Sequence, residues 1–502
     1  MTYRDIDAEE YRAATALDLA REVAGGTLSP VALAELALSL AAEAEPAINA
    51  YAFFRREAAL REAAALEAEA KAGHPRSALH GVPVAIKDNT DLAGEPTFNG
   101  SWTTSGEPAT VSSPFAGRLV RAGAVVIGKT TTPEFGWKGT GISPRTGVTR
   151  NPWNPARGSG GSSSGSGATV ASGAVPIATG SDAGGSIRIP ASWCGVVGLK
   201  PTLSAIPVWP GTPNELLSHA GPLTRSVADA RAVLELTRGP DPRDPQSAHV
   251  APLRDAPGTR LRVGVVRNPF GVPVLSGVDL AVETAVGALR AALPTIGIAD
   301  LAGAELAMPV PREVFEAMWV TGRGAGYGDV IRARGEVMDP GLVRLLGLAQ
   351  EYSLAGYYAA MAARRAFCAD VFALFEQVDL LVLPTMPLTA LAADAEVPLG
   401  GEADAKLPWV TWTPYTYPFN LTGQPAISIP CGFDPGGLPV GLQVVGPWGH
   451  DERVLDFARA CERALSGVLT ARVAPRSPLR GLLAARAGDL KRCARHCALR
   501  PG

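Results

Sequence analysis

The apolar positions change their spacing near residue 80. Before it they recur with a helical period. Thr15 to Val23 is an amphipathic run that stops at Gly25-Gly26, and Ser29-Pro30 then supplies an N-cap with proline at the first helical position. An Ala-rich amphipathic stretch follows from about Phe54 to Ala72. Beyond it short β-branched runs take over, Val82 to Ile86 and Ala124 to Ile127, separated by a helix-like segment near Phe115 to Arg121. Further strands are predicted at Ala174 to Ala178, Leu261 to Val266, Asp379 to Leu383, Ala426 to Ile429 and Gly441 to Val445, with helical patterns between them, notably Ser353 to Glu376. Strands alternating with helices predict an α/β/α fold, one mixed, twisted sheet sandwiched between helices. No internal repeat or linker divides the chain, so one large domain is expected over residues 1–471.

Composition narrows the class. Of 502 residues, 46% are hydrophobic and 19% charged, which supplies a sizeable core and argues against disorder. The 46 Lys+Arg against 48 Asp+Glu give a formal charge of -2, with no footprint for nucleic acid or an anionic membrane. That balance hides a division: Arg472 to Gly502 carries eight basic residues and one acid, Asp489, so the preceding body stands at -9. Residues 472–502 are therefore expected to be a loosely ordered basic tail. The six cysteines are scattered and read as reduced, mostly buried thiols, and Cys493, His496 and Cys497 are one ligand short of a structural metal site. The polar start, Met1 to Asp7, lacks a signal-peptide core, and no stretch resembles a membrane span of about 20 apolar residues. A cytoplasmic protein is expected.

The chemistry concentrates where glycine does: eleven of the 56 glycines lie between Gly158 and Gly198, interleaved with serine. A flexible linker would not continue into the apolar runs Val170 to Ala178 and Ile187 to Leu199, so the segment is part of the fold. Glycine-rich turns that open helices present backbone N–H groups to anions, a phosphate or an oxyanion alike. Gly123 to Thr130 has the P-loop spacing, but its four variable residues, Ala-Val-Val-Ile, read as a strand and not as a phosphate-wrapping loop. A Ser-His-Asp triad needs a histidine, and none of the six sits in a local catalytic signature.

Residues Gly160 to Ala191, with Gly-Gly-Ser-Ser-Ser-Gly, a small-residue helix, and then Gly180, Asp182, Gly184 and Ser186-Ile187-Arg188-x-Pro190-Ala191, resemble the amidase signature. Gly81 to Asp88 upstream and Gly198 to Thr202 downstream extend the resemblance, and weaker similarity reaches Phe419 to Ala426 and Gly437 to Gln443. The resemblance implies a catalytic core at about 75–200 and a Ser-cisSer-Lys triad, with Ser186 as nucleophile, Ser162 as bridging serine after a cis peptide with Gly161, and Lys87 as base. Physically, a serine hydroxyl needs an adjacent base, and lysine serves only when burial keeps it neutral. The resemblance also implies an oxyanion hole at Ala183, Gly184, Gly185 and Ser186, loop support from Asp182 and Arg188, and Ser163 as a partner of Lys87. Ser159 and Ser164 depart from the family's usual proline and glycine, away from the triad.

The implied activity is hydrolysis of an amide, and by the same chemistry of an anilide, carbamate or ester, as in an aryl acylamidase or urethanase, without metal or cofactor. The expected partner is a small-molecule substrate, with no nucleic acid and no membrane, and a homodimer left open. Phe135 to Trp137, Trp209-Pro210, Phe315 to Tyr327 and Trp409 to Tyr417 suggest an apolar or aryl specificity pocket. The alternative is the glutamine-amidohydrolysing subunit of a tRNA-dependent amidotransferase. Nucleotide binding at Gly123 to Thr130 and a catalytically dead scaffold are the remaining rivals.

Overall fold

The structure, a computed structural model, describes residues 3–253, 261–301 and 310–470. The tail at 472–502, with Cys493, His496 and Cys497, lies outside the described residues.

Eleven strands form one mixed sheet. In chain order they are β1 (Tyr51–Phe54), β2 (Pro83–Lys87), β3 (Val125–Thr130), β4 (Ile177–Asp182), β5 (Val197–Lys200), β6 (His219–Thr224), β7 (Arg262–Val265), β8 (Gly297–Asp300), β9 (Leu380–Pro384), β10 (Ala426–Phe433) and β11 (Pro439–Val445). Their order across the sheet is β1-β3-β2-β4-β6-β5-β10-β11-β9-β7-β8. The β3-β2-β4 and β9-β7-β8 runs are parallel and the centre is antiparallel. Side chains alternate between two cores with the period of a strand. In β2, Val84 and Ile86 enter one cluster while Ala85 enters another. In β9, Leu380 and Val382 face the first cluster, and Leu381 and Leu383 face a third, rich in Trp, Phe and Tyr. Helices cover both faces, so the predicted α/β/α sandwich is the observed fold.

Local signals act where the sequence places them. Thr15 and Asp18 close a capping box on the helix Ala16–Ala24, and Ser29 caps the helix Pro30–Ile48. Two of the boundary differences have a clear local cause. The Ala-rich helix begins at Arg56, because Tyr51 to Phe54 pairs with β3 as an edge strand. The strand expected at Ala174 to Ala178 begins three residues later, because Gly173 and Pro176 shape the turn before it, and it runs on to Asp182. That extension carries Gly180 to Asp182 into the sheet.

Candidate active site

The site forms where β2 and β4, parallel neighbours, reach their carboxyl ends. Val84 pairs with Ile177, so Lys87, the last residue of β2, lies beside the Gly180-Ser181 end of β4. Ahead of β4 in the chain, a glycine-serine turn ending at Ser163 opens helix α1 (Ser164–Ala171). Asp182 closes β4, and a second turn, Ala183 to Ile187, leads into helix α2 (Arg188–Cys194), which packs against α1. The Gly161-Ser162 peptide is cis. A side chain on Gly161 would collide with the carbonyl of Thr140, so only glycine fits there.

Lys87 is 0% exposed. Its Nζ donates to Ser162 Oγ at 2.8 Å and to Ser181 Oγ at 2.9 Å. Burial drives its pKa well below the ordinary lysine value, with Asp182 opposing and Arg323 assisting. Burial thus favours the neutral form of this amine. Ser162 and Ser186 both line a cavity of about 270 Å³, with Phe135, Trp209, Arg323 and Tyr327 among its walls. Among the described residues Ser186 Oγ has no hydrogen-bond partner, which leaves it available to a molecule in the cavity.

The turn before Ser186 is braced by a buried ion pair. Arg188 Nε donates to Asp182 Oδ2 and Nη2 to Oδ1, each at 2.9 Å, with both side chains fully buried. Burial pushes the Asp182 carboxyl up, but the charge and hydrogen bonds of Arg188 outweigh it and hold the group well below the usual carboxylate range. Arg188 is held in turn by Gln443 Oε1 at 2.8 Å and Asn420 Oδ1 at 2.7 Å. Asn420 returns a hydrogen bond to Asp182 Oδ1, and Thr416 Oγ1 donates to the Gly184 carbonyl at 2.7 Å.

Two sequence expectations need correction. Gly185 N–H donates to Asp182 Oδ1 at 2.7 Å, so it is committed to the turn, and Ala183, Gly184 and Ser186 are left as the amides available to an oxyanion. Ser163 makes no hydrogen bond to Lys87: its hydroxyl contacts the backbone of Ser181, its amide donates to the Ser186 carbonyl, and Ser181 Oγ is the hydroxyl on Lys87. Sequence reasoning does not single out Ser181, Thr416, Asn420, Gln443 or Arg323, although Arg323 and Thr416 lie within the Phe315 to Tyr327 and Trp409 to Tyr417 segments expected at the pocket. The recognisable signal lies in the Phe419 to Ala426 and Gly437 to Gln443 segments, which contain two of them.

The expected aromatic segments divide. Phe135, Trp209 and Tyr327 line the cavity. Phe315, Trp319, Trp409, Tyr415 and Tyr417 belong instead to the core, with Trp409 and Phe315 packed against Gly184. Trp137 lines a neighbouring cavity. His219 faces the site, its Nδ1 on the Leu217 carbonyl at 2.8 Å, and burial drives its pKa well below the ordinary histidine value. The P-loop-like run is strand β3, and its Lys129 is buried against Asp88 at 3.3 Å, which removes the nucleotide reading. Among the described residues no helix is long and apolar enough to cross a membrane, and Cys194, Cys368, Cys431 and Cys461 are free thiols.

Comparison with known proteins finds relatives over most of the chain. The Amidase family profile matches residues 32–455. The chain is similar to a glutamyl-tRNA(Gln) amidotransferase subunit of Synechococcus sp. strain RCC307, 35% identical over 467 residues, covering 86% of this chain and 93% of that one. Among solved structures it is similar to 6-aminohexanoate cyclic dimer hydrolase, with a TM-score of 0.83 and 29% identity, covering 95% of this chain and 100% of that one. It is also similar to a bacterial aryl acylamidase of the amidase signature enzymes, with a TM-score of 0.80 and 27% identity, covering 90% and 96%. With most of its length matched by the family profile and by relatives that share its sheet and helices, the chain belongs to the amidase signature family.

Proposed function

We propose that this protein cleaves amide C–N bonds by acyl transfer through Ser186, with Ser162 and Lys87 relaying the proton. The observation that carries the reading is a fully buried Lys87 amine, its pKa driven well below the ordinary lysine value, 2.8 Å from a serine that shares a cavity with Ser186. Ser186 Oγ attacks the carbonyl carbon while its proton passes through Ser162 to Lys87. The oxyanion is met by the N–H groups of Ala183, Gly184 and Ser186. The C–N bond then breaks, the amine leaves with the relayed proton, and water releases the acyl group by the reverse path. The expected assembly is one domain over residues 1–471.

The pH–rate profile tests the base. Because burial depresses Lys87, kcat/KM is expected to fall as pH drops and the amine protonates, with an apparent pKa below about 10.4. Lys87→Ala should lose about 10³-fold in rate together with that limb. An unchanged profile in the variant would remove Lys87 from the mechanism. Gly185 tests the turn: its φ is +126° and a Cβ would strike Thr416 Oγ1, so Gly185→Ala should displace Ser186 and cost about 100-fold in kcat/KM with the circular dichroism spectrum intact.

Two substrate readings share this machinery. The name of the Synechococcus relative, at 35% identity over most of both chains, supports glutamine as the amide and a place in a larger assembly, and this reading has the stronger support among the relatives. The walls of Phe135, Trp209 and Tyr327 favour aryl amides, anilides or carbamates turned over by the isolated chain. Ammonia release from glutamine, measured beside anilide and carbamate hydrolysis on the same preparation, separates them. Turnover of glutamine alone establishes the first reading, and aryl turnover without glutaminase activity establishes the second.

A further inference from the structure

Arg323, on helix α3 (Arg312–Gly326), is a buried cation with no acid paired to it among the described residues. It is 6% exposed and lines the same cavity as Ser162 and Ser186. The other buried arginine of the site, Arg188, is paired with Asp182, and Arg55 is paired with Glu62 and Glu95. Arg323 forms no ion pair among the described residues. Nη1 donates to the Phe135 carbonyl at 2.6 Å and to the Tyr327 hydroxyl at 3.1 Å, while the guanidinium stacks 4.7 Å over Trp319. Nε is buried without a partner, and Nη2 donates to no described residue. A buried charge with free donors is costly unless a counter-ion arrives. The remaining acids of the lining do not supply one: Asp182 is committed to Arg188, and Asp91 makes no ion pair with Arg323.

We infer that Arg323 is the binding site for a carboxylate on the substrate, so that the enzyme prefers amides carrying an acid group near the scissile carbonyl. The guanidinium fork suits a carboxylate, which can take two N–H groups at once. Its position beside Phe135 places the ligand at the Ser162 end of the cavity, since Gly136, the next residue, packs on Ser162 Oγ. Phe135 itself has a φ of +49° and stacks on Tyr327, so the hydrogen bond to its carbonyl also fixes this wall. A purely structural clamp would use Nη1 alone and leave substrate charge irrelevant.

The inference rests on the cavity being the amide-binding site, and the test keeps the two apart. Succinanilic acid and its methyl ester share the anilide and differ by one methyl group, which removes the charge. Binding of both to the Ser186→Ala protein, measured by calorimetry at low salt, should favour the acid by about tenfold or more, the range of a charge-assisted hydrogen bond. Arg323→Gln should abolish that preference and Arg323→Lys should retain part of it, while the ester binds all three proteins alike. Equal binding of acid and ester to the Ser186→Ala protein, or parallel loss of both in Arg323→Gln and Arg323→Lys, overturns the inference. Hydrolysis by the Ser186→Ala protein would instead overturn the nucleophile and leave the carboxylate preference standing.

Discussion

Ser186→Ala is expected to lower amide hydrolysis by about 10⁴-fold or more while leaving the thermal midpoint within about a degree of the parent. Both halves follow from the surroundings of one hydroxyl. Ser186 Oγ has no hydrogen-bond partner among the described residues, so its removal leaves no buried donor or acceptor unsatisfied. The backbone of Ser186 is held by the amide of Ser163, which the substitution does not touch. In the proposed mechanism, catalysis in contrast loses the atom that becomes covalently attached to the acyl group. Parallel measurements of kcat/KM and thermal unfolding check this. A large fall in stability would make Ser186 structural.

Asp182→Asn should produce the opposite pattern, a stability loss of about 3–5 kcal/mol, because it leaves the Arg188 charge buried without its counter-ion. Asp182 also receives the amides of Gly185 and Ile187, so the turn that presents Ser186 loosens and activity falls with it. The pH dependence has a definite sign. The folded-state pKa is depressed, so the pair's contribution is present in full above the unfolded carboxyl value of about 3.9 and is lost as pH falls from there toward the folded value. Urea unfolding at pH 7 and pH 3 is the check: the gap between parent and variant should be wide at pH 7 and narrower at pH 3. A gap that does not change would show that the asparagine preserves what the carboxylate does.

Much of this site is visible in the sequence because its central parts are local. Lys87 ends an apolar strand, and Gly158 to Gly198 holds both serines, the turn and the bracing Asp182 and Arg188 in one continuous segment. What escapes sequence reading has identifiable physical causes. Strands β5 and β6 carry Gly198, Gly221 and Pro222, residues that weaken any β pattern. They sit centrally because the close approach of the chains there leaves no room for larger side chains: a Cβ on Gly198 would meet that of Ala191. Thr416, Asn420 and Gln443 reach the turn from more than 200 residues away, and no local period marks a side chain whose partner is brought in by the sheet. Arg323 reads as one more polar position on an amphipathic helix, and only the fold shows that it faces the cavity without an acid partner among the described residues.

Covalent chemistry at Ser186 is read out by trapping the acyl-enzyme. A slowly turned-over aryl ester or a fluorophosphonate, followed by intact mass and peptide mapping, should add one group to the peptide containing Ser186. The adduct should be absent in Ser186→Ala and form slowly in Lys87→Ala. An adduct on Ser162 or Ser163, or continued hydrolysis with Ser186 unmodified, would mean that Ser186 is not the nucleophile.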